Sequence, residues 1–333
     1  MKGNDINSSR GRIAYIDCLR GISMLMVVFC HVELFSFGFK DFEFIGDVFN
    51  AVMLPLFFFV SGIFAPPSFR NALIGNRLRY VLLPTAVMFL LYVGVFDGGY
   101  RRLWLLVRSE YKYGYWFTIV LFEMNLIHYL LQLVVRHKVG LFCALAGVAA
   151  LLIMAKDWDW YHNDAFLSQW LCLRLLAQYF PYYVVGVMCM AYSGMFHKLL
   201  ANEYIVGGLI ALFAALYVYP GSGFYKALLL GLVGTFTMYQ LCRHYQDVLS
   251  QSTVVGRQLQ MIGRSTLSIY LIHYFFIQGI KMPWIQEHLN ITGQGWIIAA
   301  ITAVVAILVV YASMAVAAML KVSTPLYRIM LGK

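Results

Sequence analysis

The chain is built largely from apolar segments about as long as a lipid bilayer is thick. From Leu175 to Phe196 and from Tyr204 to Tyr225 no charged residue occurs. A helix crossing the hydrocarbon core needs about 20 predominantly apolar residues, because its backbone groups must be satisfied within the segment. Segments of this kind fall near 13–36, 44–64, 77–96, 115–135, 139–155, 174–192, 203–219, 225–242, 263–281 and 296–320. The expected fold is therefore all-α, a polytopic membrane bundle of about ten transmembrane helices forming a single domain over residues 1–333. The residue content agrees: 62% of side chains are hydrophobic and 12% charged, where a soluble domain carries roughly twice that charged share.

An even number of spans puts both termini on one side of the membrane. The loops on that side hold fifteen Lys and Arg and the opposite set nine, which by the positive-inside rule predicts cytoplasmic termini. The formal net charge of +10 is read as this topology signal, and nucleic-acid binding is not supported. One outer segment runs against the bias, with Arg101, Arg102, Arg108 and Lys112 clustered in it. Such a cluster could draw an anionic glycan or a lipid phosphate. The 156–164 loop on the same side is acidic, with Asp157, Asp159 and Asp164. No cleavable signal peptide is expected, since the first span is long and carries Asp17, Arg20, His31 and Glu33. The six cysteines are scattered through apolar stretches without C-x-x-C spacing and read as small core residues. No internal repeat is evident, and the loops are short, so any chemistry is expected within or at the edge of the bundle.

Within that frame the titratable residues are the informative ones, because membranes penalise them. His31 follows Arg20 by eleven residues, three helical turns or about 16 Å of rise, so both face the same way, one near a surface and one deep. Asp17, at i, i+3 from Arg20, reads either as a local ion-pair partner or as a site residue. The second span ends Phe58-Phe59-Val60-Ser61-Gly62, which by itself suits close helix packing, with Pro66 and Pro67 as a stop. Arg70, Arg77 and Arg79 follow, either as a topology signal or as phosphate ligands, since guanidinium forks match phosphate oxygens. Trp116-Phe117 opens the fourth span, Trp116 as an interfacial anchor, and Glu123 lies in apolar surroundings where a basic group or a polar substrate would compensate it. His128 and His137 look ordinary. In the ninth span Ser265 is a plausible N-cap, and Tyr270 and His273 at i, i+3 share a face. No metal-ligand spacing, G-x-S-x-G elbow or Gly-rich nucleotide loop is present.

Taken together, Asp17-x-x-Arg20-Gly21 with His31, Phe58 to Gly62, the arginine loop, Trp116-Phe117 and Ser265 to His273 resemble the acyltransferase-3 superfamily of integral membrane proteins. The resemblance spans nearly the whole chain and looks most like the stand-alone glycan O-acetyltransferases of the enterobacterial common antigen type. It implies acetyl-CoA as a cytoplasmic acyl donor, a glycan or lipid-linked saccharide as acceptor, no metal, and residence in the bacterial cytoplasmic (inner) membrane. On that basis Arg20, Arg77 and Arg79 would bind the donor. His31 would act as general base or as acyl carrier, with Glu123 orienting it or stabilising its protonated form. Asp17, Ser61, Trp116, Tyr270 and His273 would line the substrate path. The arginine loop departs from the R-x-x-R spacing common in the family, reading Arg77-Leu78-Arg79, which leaves the division of labour between the two arginines open.

Two other functions compete. An intramembrane Arg and His also suit a glycan exporter or flippase, which would not consume acetyl-CoA. A proton-coupled small-molecule transporter is disfavoured because no repeat pair with interrupted helices is visible. The aromatic residues Trp158, Trp160 and Tyr161 read as interfacial anchors rather than as a sugar platform.

Overall fold

The computed structural model describes residues 13–39, 44–65, 72–96, 103–155, 166–194, 196, 202–285 and 295–332. Pro66, Pro67, Arg70, Arg101, Arg102 and the 156–164 loop with its tryptophans lie outside these residues. Among the described residues the regular structure is helical, with no strand. The helices are α1 (Ala14–His31), α2 (Phe44–Ile63), α3 (Ala72–Arg77), α4 (Leu83–Phe96), α5 (Leu103–Arg108), α6 (Trp116–Val134), α7 (Lys138–Ala155), α8 (Phe166–Trp170), α9 (Leu173–Ala191), α10 (Glu203–Val218), α11 (Phe224–His244), α12 (Val254–Arg264), α13 (Thr266–Gly279), α14 (Gly295–Leu320) and α15 (Thr324–Leu331).

Six spans among the described residues are long and apolar enough to cross a membrane: Ala14–Ser36, Phe44–Ile63, Ile74–Phe96, Trp116–Val134, Lys138–Ala155 and Gly295–Leu320. Helices also stand at the other positions expected from the apolar pattern. The pattern did not mark α12, an amphipathic helix that leads into α13, or the short α3, α5, α8 and α15.

Two π-helical turns interrupt the long spans. Val32–Ser36 continues α1 immediately after His31, and Leu78–Leu82 joins α3 to α4 immediately after Arg77. Such turns widen a helix locally and commonly mark functional positions. Some hydroxyls inside the helices donate to the preceding turn, Ser61 Oγ to the Phe57 carbonyl and Thr85 Oγ1 to the Val81 carbonyl, each 2.8 Å.

Helix α1 is central, packing on α2, α12, α13 and α14, while α2 packs on α9 and α11. The α2–α9 crossing is close because Gly62 and Gly186 face each other. A Cβ on Gly62 would overlap the Tyr183 carbonyl, and one on Gly186 the Phe59 carbonyl. The small-residue step read from the sequence at Gly62 is thus a backbone contact between helices. Packing around it forms one apolar cluster through Phe58, Phe59, Phe180 and Tyr183. A second cluster joins α1 to α13 and α14 through Val28, Ile269, Ile272 and Val310.

Candidate functional site

Between the two clusters lies a cavity of about 870 Å³. Arg20 and Arg77 line one end; His31 lies farther along α1, and beyond it come Phe35 and Lys281. The three-turn spacing therefore does set Arg20 and His31 on one wall. Tyr92, Trp116, Phe117, Tyr179, Tyr270 and Tyr274 make the cavity strongly aromatic, and Trp116 stacks on Tyr179 with ring centroids 5.5 Å apart.

His31 is held at both ring nitrogens. Its Nδ1 is 3.0 Å from His273 Nε2 and its Nε2 is 3.1 Å from the Tyr274 hydroxyl. The imidazoles of His31 and His273 are nearly parallel, 10° between planes. The proton positions follow from the last link: His273 Nδ1 lies 2.9 Å from the Ile269 carbonyl, which only accepts, so Nδ1 carries hydrogen and donates. In the neutral ring His273 Nε2 must then accept, and His31 Nδ1 donates to it. That leaves the lone pair of His31 on Nε2, where the Tyr274 hydroxyl donates. In neutral His31 the unprotonated nitrogen is thereby Nε2, on the Tyr274 side.

His273 is fully buried and does not line the cavity. Expected on the substrate path, it stands in the structure behind His31, to which its Nε2 is hydrogen-bonded, because the turn of α13 that brings Tyr270 and Tyr274 to the cavity turns His273 toward α1. Tyr274, not singled out from the sequence, is the residue that reaches His31. A tyrosine in an aromatic-rich helix gives no signal of that role until α13 is packed against α1.

Gly114 makes this arrangement possible. The backbone is left-handed at Lys112, Tyr113 and Gly114, with φ of 42°, 51° and 89°. A Cβ on Gly114 would collide with the Tyr274 hydroxyl, and the Gly114 carbonyl accepts a 2.9 Å hydrogen bond from Tyr270. The turn thus seats both tyrosines of α13, and the adjoining Tyr115 hydroxyl donates to the Leu271 carbonyl at 3.0 Å.

Glu123 is not brought to His31. Both its carboxylate oxygens are buried without a hydrogen-bond partner among the described residues, away from the cavity wall, and Lys112 is the charge that bears on it. The Lys112 ammonium donates to the Gln169 carbonyl at 2.8 Å and the Ser109 carbonyl at 3.1 Å, with Cys172 Sγ at 3.3 Å. Lys112 is buried, so it does not serve as the surface attractor that the basic outer segment suggested. Arg108 of the same segment lies over the Phe166 ring, 5.7 Å from its centroid.

Asp17 is also off the cavity. Its Oδ2 receives a 3.2 Å hydrogen bond from Arg264 Nε, while Arg20 lies over the Phe64 ring, 5.0 Å from its centroid. The ion pair read at Asp17 exists, but with α12 rather than with the neighbouring turn of α1. Arg77 and Arg79, two residues apart, diverge for the reason that i and i+2 do not share a helix face. Arg77 lines the cavity, whereas Arg79 is exposed with its guanidinium 5.7 Å from the Tyr80 ring. Ser61 and Trp116 line the cavity. No cluster of three potential metal ligands occurs among the described residues.

Membrane-length helices enclosing a histidine whose basic nitrogen is fixed by a second histidine define a membrane protein with a base inside its bundle. Residues 13–315 match the family model described as an acyltransferase domain, and the chain belongs to the acyltransferase-3 family. It is a membrane acyltransferase in kind. No curated protein and no solved structure matches the chain.

Proposed function

We propose that this protein transfers an acetyl or similar acyl group from cytoplasmic acyl-CoA to a hydroxyl of an extracytoplasmic or lipid-linked glycan. The reading has the chain in the bacterial cytoplasmic membrane, with ten crossings and both termini in the cytoplasm, and it follows the likeness to stand-alone glycan O-acetyltransferases. The observation that carries it is that Arg20, Arg77 and His31 line one cavity, with the arginines together and the base about 16 Å along α1 from Arg20. Guanidinium groups at one end suit the phosphates of coenzyme A, and an extended pantetheine arm covers a distance of that order.

In this mechanism the acceptor hydroxyl replaces Tyr274 as the hydrogen-bond donor to His31 Nε2. His31 takes its proton as the hydroxyl oxygen attacks the thioester carbonyl, forming the new C–O bond. The Tyr274 hydroxyl, released from His31, is placed to donate to the oxyanion of the tetrahedral intermediate. The C–S bond then breaks, and the proton on His31 passes to the departing thiolate. His273 accepts from His31 Nδ1 throughout, which stabilises the imidazolium.

The test is release of free coenzyme A from acetyl-CoA by the purified full-length protein, native against His31→Ala. Turnover that depends on His31, to water or to added glycan, supports the reading. An absence of acetyl-CoA binding and turnover overturns it in favour of a glycan exporter, for which the same cavity would be a translocation path.

A further inference from the structure

The charged groups lining the cavity are of one sign. Among the described residues these are Arg20, Arg77 and Lys281, with no Asp or Glu. The donor accounts for the two arginines, but Lys281 lies past the base and the donor does not need it. Lys281 lies two residues past the end of α13, and its ammonium donates to the Phe35 carbonyl at 2.8 Å. Phe35 is four residues beyond His31 on the same span, and its ring centroid is 5.6 Å from that of His31. Phe35 lies about one turn past His31 in the π-helical turn, so this ammonium stands roughly one turn outward from the base. Gln278, one turn beyond Tyr274, lines the same stretch. A cleft whose charges share one sign focuses its field on ligands of the other. The spacing between base and ammonium fits within a single sugar ring that bears an acid group.

We propose that the acceptor saccharide is acidic, setting a carboxylate or phosphate on Lys281 while a hydroxyl of the same or the adjoining sugar meets His31 Nε2. This rests on the acyl-transfer reading of the site and narrows it to a class of acceptor.

Equilibrium binding to the purified full-length protein with three probes on one ring tests it: methyl glucoside, its 6-uronate and its 6-phosphate. The expected result is that at least one anionic probe binds about fivefold more tightly than the neutral one, the scale of a partly exposed charge pair. The preference weakens as salt rises, is lost in Lys281→Met and is kept in Lys281→Arg. Which anion is favoured tells carboxylate from phosphate. Equal binding of the three probes, no binding of any, or a preference that survives Lys281→Met overturns the proposal. The native chain's preference is informative even if Lys281→Met does not fold. Turnover of acetyl-CoA is measured separately, so loss of the transferase reading shows as absent turnover and loss of the acidic-acceptor reading as absent anion preference.

Discussion

His31 Nδ1 and His273 Nε2 lie 3.0 Å apart across the α1–α13 contact, with their rings nearly parallel at 10°. The outer nitrogen of His273 is committed to the Ile269 carbonyl, so this single contact decides which nitrogen of His31 is basic. In the proposed reaction His273 is therefore a positioning residue. His273→Ala should lower kcat for coenzyme A release by about 100-fold, the scale of a misdirected general base, with KM for acetyl-CoA little changed. His31→Ala should bring kcat to background, and the double variant should be no slower than His31→Ala alone, since both act through one group. Independent, multiplying effects would show that His273 has a separate role.

The two arginines of the loop should separate cleanly. Arg77 lines the cavity and Arg79 lies outside it. Arg77→Ala should raise KM for acyl-CoA by about 10-fold, the loss of one charge-assisted phosphate contact, whereas Arg79→Ala should leave it within about twofold. Titration of initial rates against acetyl-CoA concentration distinguishes the two. Equal effects would place both at the donor.

The Asp17–Arg264 contact should act on stability and not on donor binding. Arg264 bonds Asp17 Oδ2 through Nε and Gln260 Oε1 through NH2, at 3.2 Å and 2.9 Å, tying α1 to α12. Asp17→Asn should lower stability by about 1–2 kcal/mol. Combined with Arg264→Gln the loss should be less than additive. Unfolding of the purified variants, followed in one detergent, gives the cycle, and KM for acetyl-CoA should stay at the native value. A rise in KM for Asp17→Asn would return this carboxylate to the substrate path.

Glu110 gives the chain a pH signature outside the membrane spans. Burial raises its pKa, and Arg174 at 3.7 Å and the Lys112 charge only partly offset that effect. A carboxyl whose folded pKa is raised binds more protons folded than unfolded, so its contribution to stability falls as pH rises from its ordinary value through the raised one. Glu110→Gln should therefore stabilise the protein at pH 7, and the gain should vanish by about pH 3, where the native carboxyl is protonated in both states. Melting temperatures of native and variant protein across that range test this. A variant less stable at neutral pH would mean that the pairing with Arg174 outweighs burial.

The sequence by itself determined the class of the molecule. Bilayer-length apolar segments admit one regular backbone form, the helix, and their run through the chain marked where helices stand. The helical period alone put Arg20 and His31 on one wall, since an eleven-residue spacing closes three turns. For Arg77 and Arg79, both expected at the donor, it was the packed structure that put Arg77 on the cavity and Arg79 outside it, in keeping with an i, i+2 step of just over half a turn. Tertiary structure alone decided the rest, because those relationships join segments far apart in the chain. Asp17 finds Arg264 rather than Arg20, and His273 turns toward His31 rather than into the cavity. Glu123 comes under Lys112, and Tyr274 is seated on His31 by the left-handed turn at Gly114. Periodicity reports which face of one helix a residue occupies; which helix that face meets depends on packing, here on close crossings such as the one between Gly62 and Gly186.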